Sequence, residues 1–137
     1  MIAKQYLLTA MTMGGIGIAL SAFFRLKLGW PDAKFPILEA VLGADAAPDG
    51  LLDSNWYLGL VTLHGTIMVF FVLTGGLSGT FSNLLIPLQV GARDMASGLL
   101  NMISYWLFFL SSLLMAASLF IETGPAMAGW TIYPPLS

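Results

Sequence analysis

The chain contains no cysteine and a single histidine among 137 residues. The first absence excludes disulfides and cysteine-bound iron–sulfur clusters. The second leaves no site built from several imidazoles of this chain. Charge is scarce as well. Asp, Glu, Lys and Arg make up 9% of the residues, against about 25% in a soluble domain. The five basic residues are scattered and form no patch, so nothing points to nucleic acid. The net charge of −2 says little, because the charges collect in loops. Fifteen glycines and seven prolines are too few for low complexity. There is no internal repeat.

What fills the chain instead is apolar. Hydrophobic residues reach 58%, the composition of an all-α membrane protein. The length accommodates three crossings of ~20 residues each. The expected helices cover about 6–28, 55–86 and 99–121, with an outer loop over about 29–54. The first runs from Tyr6 to Leu28, after Lys4. It is longer than the apolar core of a secretory signal, and no small-residue cleavage site follows it, so a retained membrane helix is expected. The second runs from Asn55 to Ile86, where Pro87 removes a backbone donor and is expected to end it. It exceeds what a ~30 Å hydrocarbon core requires, which predicts tilt or projection. Gly75, Gly76 and Gly79 predict close approach of a neighbouring helix or a cofactor. The third runs from Leu99 to Ile121 and stops at Glu122, Gly124 and Pro125. In the outer loop Asp32, Glu39, Asp45, Asp49 and Asp53 face Lys34 alone, and Phe35 to Leu42 predicts a short surface helix. The positive-inside rule puts Lys4 and Arg93 in the cytoplasm, and the acidic loop and Trp130 to Pro135 outside.

His64 is the most informative residue. It sits inside the apolar run Leu58 to Leu77, where an imidazole without a partner costs free energy. One reading is a packed ring bonded to a backbone carbonyl or a serine. A second is a proton relay. A third is ligation of a haem iron, for which neutral imidazole is a good ligand. The apolar lining favours haem over a proton wire. Tyr57, Leu60, Met68 and Phe71 share its face. On the first helix Arg25 stands above Ser21, Ile18, Gly17 and Gly14, a strip of mostly small residues. Arg25 reads either as a snorkelling interfacial cation or as a cation meeting an oxygen of a buried cofactor. In the short cytoplasmic loop Asp94 reads as a solvated carboxylate, paired with Arg93, or as the mouth of a proton path. Asn83 and Asn101, on the helices flanking that loop, favour the path, since amides there can hold a chain of waters. Glu122 reads as an interfacial carboxylate.

These residues also carry a family resemblance. The stretch His64-Gly-Thr-Ile-Met-Val-Phe-Phe is followed by Asn83-Leu-Leu-Ile-Pro-Leu-Gln-Val-Gly-Ala-Arg-Asp-Met-Ala. Then come Leu100-Asn-Met-Ile-Ser-Tyr-Trp106 and Gly129-Trp-Thr-Ile-Tyr-Pro-Pro135. With Gly14, Gly17, Ser21 and Arg25 the chain resembles the N-terminal part of subunit I of the haem–copper terminal oxidases, cytochrome c oxidases in particular. The resemblance covers nearly all of the chain except the acidic loop. It implies a place in a bundle of about twelve membrane helices, each helical because lipid offers the backbone no partner. It implies His64 as one axial ligand of the low-spin haem, and Arg25 on a polar substituent of that haem, the formyl group if it is haem A. Tyr57 and Ser21 would lie near the same haem. Trp130 would bond a propionate of the high-spin haem, with Tyr133 nearby. Asp94 would open a proton channel lined by Asn83 and Asn101.

The resemblance further implies reduction of oxygen to water with electrons from cytochrome c, coupled to proton pumping in a bacterial inner membrane. The implied partners are the remainder of subunit I, subunits II and III, membrane lipids and a respiratory supercomplex. The opposite axial ligand, the copper ligands and the high-spin haem ligand belong to the remainder, so a fragment, inactive alone, is expected. Two departures bear on the channel. Ser97-Gly98-Leu99 replaces the family's Phe-Pro-Arg, and Met102 stands where a second asparagine is common. The acidic loop is an insertion. The quinol-oxidising branch is the near rival, but its polar site would map to Ile16, Leu20, Trp56 and Gly59, which cannot do that work. A nitric oxide reductase relative has no need of the Asp94, Asn83, Asn101 set. A non-catalytic scaffold of a respiratory complex is the rival from another class.

Overall fold

Apolar sequence in hydrocarbon leaves the backbone no partner but itself, and the three apolar stretches are helical in the computed structural model, which describes residues 2–121, 123–132 and 134. Three helices are long and apolar enough to cross a membrane: Ile2–Gly29, Ser54–Val90 and Gly98–Phe120. Among the described residues there is no strand. The chain is an all-α integral membrane protein, as expected. Glu122 and Tyr133 lie outside the described residues.

Helix α1 spans Ile2–Gly29 and starts four residues before the expected Tyr6, so exposed Lys4 is part of it. Its end is set by Pro31, which has no amide to continue the ladder and whose carbonyl accepts a bond from Lys27 Nζ at 3.1 Å. Helix α2 spans Pro36–Leu42 with proline in its first turn, where a missing donor goes unnoticed. The acidic loop folds around α2. Leu38, Ala46, Ala47 and Leu52 are buried there, and Lys34 pairs with Asp49 at 3.4 Å. Asp53 begins the second span. Its carboxylate accepts from the amides of Asn55 (2.8 Å) and Trp56 (3.4 Å), which satisfies donors that a helix start leaves over.

That second span is α3, Ser54–Thr66, then a π-helical segment, Ile67–Leu77, then α4, Ser78–Val90. The wide i→i+5 turn is not what the apolar pattern predicts, since π-helix is rare. The glycine pair admits it. A Cβ on Gly76 would lie 2.6 Å from the carbonyl oxygen of Phe71, five residues back, and one on Gly75 would lie 2.9 Å from that of Phe70. The expected stop at Pro87 does not occur. Its ring is buried and the helix runs on to Val90, the fixed φ of proline being compatible with helix. The end is Gly91, in the left-handed region at φ 69°, a conformation glycine adopts without penalty. Helix α5 spans Gly98–Ala117 and runs into a short 3₁₀ turn, Ser118–Phe120.

Contacts divide the chain into two compact units, Met1–Gly15 with Ile67–Ala116, and Ile16–Thr66 with Ala117–Ser137. In the first, Tyr6 packs edge-on against Tyr105 at 5.3 Å and tilted on Phe108 at 5.1 Å. Thr9 Oγ1 and the Tyr105 hydroxyl bond at 3.2 Å. The expected close approach at the glycines occurs, and the neighbours are helices. Gly76 meets Ala10 of α1, Gly79 meets the Tyr6 ring, and Gly75 meets Phe108 of α5. Any side chain at Gly76 would displace α1. The second unit buries Leu20, Trp56, Leu60 and Leu63, together with the loop core. Helix α5 buries only Tyr105 and Ser112. Its exposed Leu107, Leu110, Leu113 and Leu114 suit hydrocarbon rather than water.

Candidate functional site

The second unit holds the imidazole site. Gly17 and Phe24 lie two turns apart on α1, and Tyr57 and His64 lie two turns apart on α3, so each pair shares one face. His64 is half-buried. Its Nδ1 bonds the Gly17 carbonyl oxygen at 2.8 Å. A carbonyl can only accept, so Nδ1 carries a proton, and in the neutral ring the lone pair is then on Nε2. The Phe24 ring stands edge-on to the imidazole at 5.6 Å and to Tyr57 at 6.1 Å. Arg25, exposed, donates from Nε to Ser21 Oγ at 3.2 Å, so the two residues expected on one face of α1 are bonded.

A second feature of α3 brings the C-terminal segment to this site. Positions 59, 62 and 65 recur at three-residue spacing, hence near one face. A Cβ on Gly59 would lie 2.9 Å from Pro125 Cγ, and one on Gly65 would lie 3.3 Å from Trp130 Cβ. Between them Thr62, buried, donates to the Leu58 carbonyl at 2.7 Å and accepts from the Gly129 amide at 2.9 Å. Trp130 is thereby held against Gly65, the residue after His64. Tyr133, its expected neighbour, lies outside the described residues. Replacing Thr62 with valine keeps the shape and removes the acceptor. One hydrogen bond contributes about 1 kcal/mol, so the Gly129 amide should exchange with solvent about fivefold faster. Unchanged exchange would show that the bond holds nothing.

The first unit holds the polar set. Asn83 donates from Nδ2 to the Gly79 carbonyl at 2.8 Å, and its Oδ1 accepts directly from Asn101 Nδ2. The expected amide pair forms, but by a direct bond. Asp94 is exposed. Its Oδ1 accepts from the Met95 amide at 3.0 Å, and it lines a cavity of about 280 Å³ with Ile86, Pro87 and Val90. Among the described residues no bond joins Asp94 to the amide pair, and the ion pair present there is Lys34–Asp49, not Arg93–Asp94.

The sequence did not mark Phe24 or Thr62, whereas a ring bonded to a backbone carbonyl was one reading of His64, and Gly17 supplies that carbonyl.

Fold and site define a helical integral membrane protein presenting an oriented imidazole donor. The family described as Cytochrome C and Quinol oxidase polypeptide I matches over residues 1–137. The chain belongs to this family, which is that of the haem–copper oxidase subunit I. It is 43% identical over 134 residues to the alternative cytochrome c oxidase subunit 1 of Bradyrhizobium diazoefficiens, covering 98% of this chain and 20% of the relative. It is 39% identical to cytochrome c oxidase subunit 1 of Thermostichus vulcanus, covering 99% and 21%. It is 38% identical to the heme-copper oxidase subunit I+III of Aeropyrum pernix, covering 99% and 15%. The chain thus spans about a fifth or less of the length of these three relatives. No solved structure matches it.

Proposed function

We propose that this chain is part of the catalytic subunit of a proton-pumping terminal oxidase that reduces oxygen to water with electrons from cytochrome c. The match to the haem–copper oxidase family over residues 1–137 carries this reading, and the bond from His64 Nδ1 to the Gly17 carbonyl, which a merely packed ring would also make, is compatible with it. Histidines that ligate metals donate their other ring N–H to such an acceptor, which fixes the tautomer and aims the lone pair. The donor set fits a haem. Among the described residues no three His, Cys, Asp or Glu converge on a bare metal ion, whereas a porphyrin brings its own equatorial nitrogens and asks the protein for axial ligands only. His64 would be one of the two axial ligands of the low-spin haem. Arg25, oriented by Ser21, would meet its polar substituent, Tyr57 would lie near the same haem, and Trp130 would bond a propionate of the high-spin haem. When bound, the haem supplies a one-electron carrier. The chain's own residues would orient the imidazole, and Arg25 would supply a cation.

On the cytoplasmic side the Asp94 carboxylate would take up protons, and the Asn83–Asn101 pair would line their path. Cytochrome c is favoured over quinol as donor because Ile16, Leu20 and Gly59 carry no polar side-chain group and Trp56 only an indole N–H, and Leu20 and Trp56 are buried. The names of the relatives from Bradyrhizobium and Thermostichus agree. The remaining partners would be the rest of subunit I with its high-spin haem and copper, subunits II and III, lipids, and a respiratory supercomplex. The setting would be a bacterial inner membrane, with the N-terminus cytoplasmic. An optical difference spectrum of the purified complex tests the reading against a scaffold. The expected result is a low-spin haem band that develops on reduction by cytochrome c. A complex without haem would refute it.

A further inference from the structure

The Nδ1 bond to Gly17 pins one edge of the His64 ring, but a single hydrogen bond leaves the ring free to rock about it. Phe24 is placed to stop that motion. Its ring meets the imidazole at 68° and 5.6 Å, and Tyr57 at 83° and 6.1 Å. Both contacts are edge-to-face, the arrangement the aromatic quadrupole favours, and such pairs add to what burial contributes. Since Tyr57 and His64 lie two turns apart on one face of α3, a ring touching both sits between them, wedged along the helix. It comes from α1, the helix that also supplies the Gly17 carbonyl. One helix therefore supplies both the bond that fixes the tautomer and the ring that limits rotation.

We propose that Phe24 is a positioning residue that sets the plane of the His64 imidazole. This rests on the reading of His64 as a haem ligand. Phe24 need touch neither iron nor substrate to act, and its effect passes through the orientation of the ligand, as outer-shell partners tune metal sites.

The test is electron paramagnetic resonance of the oxidised low-spin haem in the whole complex, because its low-field resonance follows the orientation of the axial imidazole planes. Phe24→Leu keeps similar volume and removes the ring. The expected result is haem retained at full stoichiometry, with the low-field resonance moved or broadened beyond its native line width. Phe24→Tyr keeps the ring and should restore the native line. A native line in Phe24→Leu would overturn the proposal. Should the leucine complex fail to assemble, Phe24→Met, a flexible gap-filler, is read by the same signal. The two claims fail separately. A low-spin signal that survives in His64→Ala removes the ligand reading itself. Loss in His64→Ala together with a native line in Phe24→Leu removes only the role of Phe24.

Discussion

Replacing His64 with alanine in the whole complex should abolish the low-spin haem spectrum and reduce oxygen turnover by more than about 100-fold. Losing outer-shell partners of a metal ligand already lowers affinity or activity about 10–100-fold, and removing the proposed ligand itself should cost more. The packing change is mild. The ring is half-buried, and its loss strands the Gly17 carbonyl, which water or the helix can satisfy. The helices should therefore survive while the spectrum does not, and circular dichroism beside the optical spectrum separates the two effects. A normal bis-histidine spectrum in the variant would remove His64 from the haem.

Replacing Asp94 with asparagine should slow proton uptake at least about tenfold, equivalent to ~1.4 kcal/mol on the barrier, and weaken pumping. Asparagine keeps an acceptor for the Met95 amide, so the turn formed by that bond at 3.0 Å should persist. What disappears is the carboxylate proposed to take up protons, which lines the cavity with Ile86 and Pro87. Proton uptake by the reconstituted complex measures this directly. Unchanged uptake and pumping would remove Asp94 from the path. The direct Asn83–Asn101 bond adds a constraint. A water chain along this face must run past the amides or open their bond, and Met102 supplies no further polar group.

The apolar runs made the three spans legible before any coordinates, since hydrocarbon admits few other structures. The isolation of His64 was legible for the same reason. The π-helical turn was not, because an i→i+5 ladder has no hydrophobic period of its own, and Gly75 and Gly76 pointed only to close approach. Pro87 misled because a missing donor was read as a stop, whereas the left-handed Gly91 ends the helix. Arg25 and Ser21 were legible as neighbours from four-residue spacing, and they are bonded. Phe24 was not, because a phenylalanine in an apolar helix is indistinguishable from lipid-facing neighbours until the partner helix is placed. Thr62 escaped because its bond to Gly129 spans 67 residues, beyond any local pattern.

The central claim is that the His64 lone pair binds iron. The most direct measurement is a high-resolution structure of the haem-loaded complex. Haem iron is expected at bonding distance from Nε2, with the Nδ1 bond to Gly17 retained and a second histidine from the rest of the subunit on the opposite face. An imidazole bonded only within the helices, with the haem held elsewhere, would contradict it.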